Sequence, residues 1–404
     1  MNKARKVLVI SQYFYPESFR INDLCAAWVS LGYEVSVVTG IPNYPKGRFF
    51  KGYGWFHRTK EDFQGMSVRR LPIVSRGKGF FRLGINYVSF VVSGFLWAKF
   101  TKQTADVVFI NEVSPMTQAL PGIWYAKRKQ IPVFLYVQDL WPENIEATIK
   151  RPSGRMIQII DRLVRHIYRS VDVIFTSSQA YIGNIIAKGI DPLKLHYWPQ
   201  YAEEFYTPLE PSTDGPIPQS SSLKVIFTGN IGKAQGLQTL LQAARELKDY
   251  NIEFYLVGDG SEKQSLVEEY ADLDFIHFID AVPATEIPKY LAQCDLAYIS
   301  LLDQPIYGLT IPAKLQSYLA CGIPVVASAT GEVERIINEA SAGFVAPPEQ
   351  VKPLVDIFRE CVTMKDEEKK NLQQNARNYY EENFKRDVLL NQMNPFLMGE
   401  YDEH

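Results

Sequence analysis

Short apolar runs without polar interruption recur along this chain, each followed by a stretch of helical periodicity, and that alternation limits the fold to very few choices. VLVI, VVFI, VFLYV, VIF and FYLV carry hydrophobic residues at successive positions. A strand with one solvated face alternates instead; consecutive burial requires cover on both faces, as in a parallel sheet between two helix layers. The first half predicts strands at residues 6–11, 34–39, 107–111, 133–138 and 173–177, with helices at 22–31, 116–129, 155–169 and 181–188. Residues 195–218 then lose periodicity and collect Pro208, Pro211, Gly215, Pro216 and Pro218 among serines, the composition of a linker. Beyond it the pattern restarts. Strands are expected at 223–228, 253–257, 275–278, 296–300 and 325–327, and helices at 236–247, 262–270, 287–292, 312–320, 333–339 and 350–363. A last helical stretch, 366–382, leads to a tail carrying Phe384, Leu389, Leu390, Phe396 and Leu397. The expected fold class is α/β, two doubly wound Rossmann-like domains at 1–205 and 206–384, with the tail 385–404 returning to the first. Ligands in such sheets bind at the carboxyl ends of the strands, so the loops after strands should face a cleft between the halves.

A chain of 404 residues suits two domains, and 46% hydrophobic with 22% charged residues suits two packed cores. The net charge of −2 points to no nucleic-acid partner. Cys25, Cys294, Cys321 and Cys361 are scattered, which favours reduced thiols over disulfides or a metal. His57, His166, His196, His277 and His404 show no metal-ligand spacing, and no metal is expected; nor is there a GxSxG elbow for a covalent acyl enzyme. The amino terminus reads as a first strand rather than a signal peptide.

Residues 83–98, LGINYVSFVVSGFLWA, are apolar and aromatic, with Arg76, Lys78, Arg82 and Lys99 around them. Upstream lie Lys46, Arg48, Lys51, Arg58, Lys60, Arg69 and Arg70 against only Glu61 and Asp62. Sixteen residues fall short of the ~20 that span a bilayer. Two readings remain: a core helix covering the sheet, or a helix resting partly on the domain and partly on anionic lipid.

The densest chemical signal is GLTIPAKLQSYLACGIPVVA, residues 308–327. Pro312 is expected to set a first helical turn, Lys314 follows it, and Cys321-Gly322 stops the helix before a buried strand. The free N–H groups of a helix start, beside a lysine, suit a phosphate or diphosphate; a surface helix with a solvated lysine is the plain alternative. The loop Gly229-Asn230-Ile231-Gly232-Lys233-Ala234-Gln235-Gly236 follows the first strand of the second half and permits close approach of an anion. Gly258-Asp259-Gly260 follows the next strand and reads as either a second phosphate loop or a simple turn. In the first half, Glu17 and Asp139 follow strands and are the carboxylates placed to act as general base or to hold a sugar hydroxyl. Asp139 also fits a cap, and Trp141 fits a sugar platform or the core.

Taken together, YFYPESFRINDLCAAWVSLGYEVSVVTG, VQDLWPE, FTGNIGKAQGLQTLLQAA, FYLVGDGSEK, residues 312–327 and GEVERIINEASAGFVAPPE resemble the retaining glycosyltransferases of family 4, which have the GT-B architecture. The likeness runs over nearly the whole chain and is greatest to the bacterial N-acetyl-L-fucosamine and colanic-acid transferase branch. It implies a UDP-sugar donor, a lipid-linked (undecaprenyl-diphosphate) sugar acceptor, contact with anionic lipid of the inner leaflet and a peripheral position on the cytoplasmic membrane. It further implies catalysis by Asp139, Lys233 and Lys314 without metal or other cofactor. Donor contacts are implied at Ser18, Arg20, Gly229, Asn230, Gly232, Gln235, Gly258, Asp259, Thr310, Ile311, Pro312, Ser317 and Glu332, and acceptor contacts at Glu17, Trp141 and Glu143. The family's usual pair of glutamates falls here at Leu309 and Ser317, its usual Arg and Lys at Asn230 and Gln235, and its usual His at Gln138. Lys233 and Lys314 are therefore the leaving-group cations. The rival readings are a UDP-sugar 2-epimerase of the same fold and a non-catalytic nucleotide-sugar-binding partner of another transferase.

Overall fold

The computed structural model describes residues 5–148 and 153–401; His404 lies outside them. The chain forms two compact units. One holds the described residues up to Ser177, then Tyr181–Trp198 and the chain from Met393; the other holds Ser178–Ala180 and Pro199–Gln392.

The first unit is built on eight strands: β1 (Lys6–Ile10), β2 (Glu34–Gly40), β3 (Lys60–Phe63), β4 (Met66–Leu71), β5 (Val107–Glu112), β6 (Val133–Val137), β7 (Val173–Thr176) and β8 (Leu195–Tyr197). Their order is β3-β4-β2-β1-β5-β6-β7-β8, parallel except for β3, which pairs antiparallel with β4. Val7 of β1 stands between Val35 and Val107, so the order reverses between β1 and β5. That switch point opens a crevice at the carboxyl edge of the sheet. Trp28, on the helix Arg20–Ser30, meets Phe109 edge-on at 4.9 Å and closes one face. On the same unit, Phe396 packs edge-on to Phe134 and Phe175, and Tyr33 hydrogen-bonds Asn394, which fastens the C-terminal helix Arg386–Met398.

The second unit is a six-stranded, wholly parallel sheet: β9 (Leu223–Thr228), β10 (Ile252–Val257), β11 (Ile276–Ile279), β12 (Leu296–Ser300), β13 (Val325–Ser328) and β14 (Gly343–Ala346), in the order β11-β10-β9-β12-β13-β14. Its switch point lies between β9 and β12. Two apolar layers sandwich it, one centred on Leu240, Phe254 and Phe358, the other on Leu315, Tyr318 and Ile336.

Several expectations need correction. The unit boundary falls at Trp198/Pro199 rather than 205/206, and the return to the first unit starts at Met393 rather than 385. The reason is that the proline-rich segment is not a free linker. Its beginning is strand β8, and Ala202 and Ile217 are buried in the second core, where Gln293 donates to the Ser212 carbonyl. The hairpin β3/β4 and strand β14 were not expected. The first is polar and alternating, and GFVA is short and begins with glycine. The apolar helix is Phe80–Phe100, 21 residues and long enough to cross a bilayer, against the sixteen residues expected at 83–98.

Candidate active site

At the carboxyl edge of the second sheet the chain turns on glycines pressed together. Gly229 (φ 124°) ends β9 and donates to the Val257 carbonyl at 2.9 Å, while the Ile231 amide donates to the Asp259 carbonyl at 2.8 Å. Gly258 (φ 157°) runs so close that a Cβ there would stand 1.8 Å from the Gly229 carbonyl oxygen. The loop Gly258-Asp259-Gly260 is therefore no isolated turn; it is the wall against which Gly229-Asn230-Ile231 is shaped. Lys263 fixes it by donating to the carbonyls of Gly258 and Ile279 and to Asp280.

The helix Ala313–Ala320 begins at the same edge. Pro312 is its N-cap, extended at ψ 134°, not its first helical residue, and no side chain caps the turn. The amides of this first turn keep the partial positive charge of a helix start. Tyr318, on the same helix, receives a hydrogen bond from the Thr228 amide at 2.9 Å and locks the helix to the end of β9.

Lys314 leans from the helix toward the glycine loop. Its Nζ lies 3.9 Å from the Phe227 ring centroid and donates to the Gln235 side chain. No carboxylate offsets its burial, which pushes the amine down to about 7. Lys233 stands exposed in the turn Lys233–Gln235. Thus Gly229, Asn230, Gly232, Lys233, Gln235, Gly258, Asp259, Pro312 and Lys314 share one edge. Thr310 and Ile311 lead into it, Thr310 donating to the Tyr307 carbonyl.

Two expected donor contacts are otherwise engaged. Ser317 is buried and donates back to the Ala313 carbonyl. Glu332 is buried at the start of the helix Glu332–Ala340, paired with Arg335 at 2.9 Å and accepting from the Ala180 amide at 3.1 Å. A carboxylate so partnered holds its own helix rather than a sugar hydroxyl.

At the carboxyl edge of the first sheet the side chains carry the structure. Asp139 follows β6, accepts from the Ser114 hydroxyl at 2.6 Å, and is raised by burial. Glu112, at the end of neighbouring β5, is raised well above the usual carboxylate value by burial and then by Asp139. The sequence pattern ends that strand at residue 111, one short of Glu112, and a carboxylate at the last position of a buried strand is the signal that marks it. Gln138 is joined to Asn111, and Trp141 donates through its indole to Ser114 at 3.1 Å.

The acceptor candidates divide. Glu17 is buried under amide bonds from Phe14, Asn43 and Tyr44, and burial still lifts it to about 6; it ties two loops together. Glu143 accepts from Lys188 at 2.6 Å and Asn184 at 3.0 Å, an internal ion pair. Both act as supports: the two Glu17 oxygens are taken by main-chain amides, and Glu143 holds Lys188 and Asn184 through Oε1, leaving Oε2 without a partner. Ser18 is exposed, and Arg20 opens the helix Arg20–Ser30. Arg76, expected only among the cations around the apolar segment, reaches the Tyr13 hydroxyl at 3.1 Å, while Tyr13 also neighbours Glu17 and Tyr87. A depression of 1240 Å³ near His166 and His196 lies at the opposite edge of this sheet, by the starts of β6, β7 and β8. Among the described residues no group of His, Cys, Asp and Glu is arranged to hold a metal ion.

Comparison with known proteins bears on both units. The family model for group 1 glycosyl transferases matches residues 222–363, and that for a glycosyl transferase 4-like domain matches residues 18–200. The chain is 28% identical over 238 residues to the probable glycosyltransferase WbjE of Pseudomonas aeruginosa, spanning 56% of this chain and 58% of that protein. It is 24% identical over 384 residues to WcaI of Escherichia coli K12, named as a colanic acid biosynthesis glycosyl transferase, over 89% and 92% of the two chains. The crystal structure of Anabaena HepE with UDP and glucose superposes with a TM-score of 0.67 at 15% identity, covering 98% and 100%, a likeness of fold.

Proposed function

This chain belongs to the group 1 glycosyltransferases of GT-B fold, and from that premise we propose that it transfers a sugar from a UDP-sugar to a lipid-linked sugar, with retention and without a metal. The observation that carries the reading is the second unit's edge, where glycine loops, an uncapped helix start and Lys314 converge with no carboxylate engaging the lysine. Such a surface is matched to a diphosphate. UDP is supported by the HepE complex, and polysaccharide assembly (O-antigen, capsule or exopolysaccharide) by the name of WcaI. An N-acetylated aminosugar such as N-acetyl-L-fucosamine, and undecaprenyl diphosphate as the acceptor's carrier, follow from the branch resemblance. An exposed apolar helix in a region of twelve cations and two acids, residues 46–102, supports work at the inner face of the cytoplasmic membrane.

In the reaction the bond from the anomeric carbon to the phosphate oxygen breaks, and the acceptor oxygen bonds to that carbon on the same face. The acceptor's proton passes to the departing phosphate. Charge develops on that phosphate, so the catalytic demand is electrostatic. A lysine held near 7 by burial becomes fully charged when the diphosphate arrives, and the helix-start amides share the load. Asp139 is the carboxylate placed to orient the acceptor hydroxyl.

A thermal-shift series with UDP, GDP, TDP and CMP tests the donor, since a ligand of the folded state raises the midpoint by mass action. UDP is expected to give the largest rise; four flat curves would overturn the donor reading. Consumption of a UDP-sugar with no acceptor present would identify an epimerase instead.

A further inference from the structure

The helix Phe80–Phe100 is fastened along one side only. Asn86 is buried, accepting from Gln12 at 2.8 Å and donating to the Val74 carbonyl at 2.6 Å. Gly94 is pressed to Pro121, where a Cβ would stand 2.3 Å from Cγ, and Trp97 stacks on Tyr125 at 5.2 Å. A helix held this way cannot leave the domain to cross a bilayer. Its other side is bare: Phe81 is 79% exposed, and across from it Phe56 is 90% exposed.

These two bare walls do not form a convex ridge. Between the helix, the Trp55–Phe56 loop and the stretch Pro72–Val74 runs a groove of 820 Å³. Its polar side chains, those of Trp55, Ser89 and Ser93, are all spent internally. The Trp55 indole donates to Ile73, Ser89 accepts from the Val74 amide and donates to Asn86, and Ser93 donates to Ser89. The groove has no open polar side chain to offer a polar ligand, and a protein segment would bring backbone groups with no side-chain partners there. At about 1.5 Å per residue, the helical wall from Phe80 to Leu96 is about 24 Å long. Cations gather at its start: Arg82 donates to Ser75, Arg76 to Tyr13, and Lys78 stands between them in sequence. The same end joins the sheet's carboxyl edge through Asn86 and Gln12. An apolar trough that opens onto cations matches an amphiphile with an anionic head and a hydrocarbon tail.

We propose that this groove holds the hydrocarbon chain of the lipid-linked acceptor, its phosphate meeting Arg76, Lys78 and Arg82. The assignment rests on the reading of a lipid-linked acceptor and adds where the lipid lies. Gly84 provides the test, because it lines the groove and a Cβ there meets nothing within 4 Å. Gly84→Trp fills the trough without disturbing the core. Full-length protein is photolabelled with a benzophenone-bearing polyprenyl monophosphate in phosphatidylglycerol vesicles and the adducts are mapped. Label is expected at residues 55–56 and 80–96, falling about tenfold in Gly84→Trp, while co-sedimentation with the vesicles and the thermal midpoint stay as in the wild type. Label elsewhere, or undiminished label in the variant, would overturn the proposal. Equal labelling of the groove by a benzophenone-tagged phosphatidylglycerol would assign it to a membrane acyl chain and also overturn it. Loss of the UDP thermal shift would sink the donor reading and leave the adduct map standing.

Discussion

At the carboxyl edge of the second sheet the chemistry is made of main chain, whereas at the same edge of the first it is made of side chains and their partners. Gly229 and Gly258 shape the loops by close backbone packing, and the start of Ala313–Ala320 presents its first-turn amides beside them, with Lys233 and Lys314 at the same edge. Across β5 and β6, Asp139, Glu112, Gln138 and Asn111 are held by each other and by Ser114. A main-chain site tolerates change of most side chains nearby but no added atom at its glycines. A side-chain site tolerates backbone variation and depends on each partner.

The largest effect should come from breaking the main-chain site at its tightest point. In Gly258→Ala the new methyl would overlap the Gly229 carbonyl at a backbone angle that L-residues avoid. The second unit is expected to lose about 3 kcal/mol or more in urea unfolding, together with UDP binding. Binding at wild-type affinity in a folded variant would show that the two glycine loops do not shape the diphosphate site.

That asymmetry also explains what could be read before any coordinates. Strands β9 and β12 match the sequence reading residue for residue, because uninterrupted apolar runs have one physical solution. The glycines and Lys314 were legible for a similar reason: their function follows from residue type and position after a strand. Glu17, Glu143 and Asp139 were named, yet their roles depend on Asn43 and Tyr44, on Lys188 and on Ser114, which lie 25 to 45 residues away. No local pattern distinguishes a carboxylate that is spent from one that is open. The hairpin β3/β4 escaped notice because its polar alternation, KEDF, belongs to an edge strand that needs no cover on its outer face.

The next effect sharpens the contrast, because Lys314 is the buried cation of the main-chain site. Folded, it releases its proton near pH 7; unfolded, near 10.5. Between those values the unfolded chain holds the extra proton, so the free protein should gain stability as pH rises through that window. A bound diphosphate reverses the preference by favouring the charged amine. UDP affinity should therefore fall from pH 7 to 9, with proton uptake on binding, measurable by calorimetry in buffers of different ionisation enthalpy. Lys314→Met should flatten both trends and lower turnover about tenfold or more, roughly 1.4 kcal/mol in barrier. Wild-type turnover at saturating donor in that variant would remove the lysine from the mechanism.

The smallest expected effect belongs to the first unit and separates charge from shape. In Asp139→Asn the Ser114 hydroxyl keeps an acceptor and the side chain keeps its volume, so only the buried charge is lost. Burial raises this carboxyl in the folded state, which means the ionised form costs stability at neutral pH and the protein recovers that cost as pH falls. The variant should therefore be as stable as the wild type at pH 7, or slightly more so. It should also gain less on acidification, the remainder coming from Glu17 and Glu112, which are raised as well. If Asp139 orients the acceptor by its charge, turnover drops by up to about tenfold while UDP affinity is unchanged. Unchanged turnover with a higher midpoint would place Asp139 with Glu17 and Glu143, as a carboxylate that holds loops together, and would leave the first unit's role in catalysis to its neutral groups.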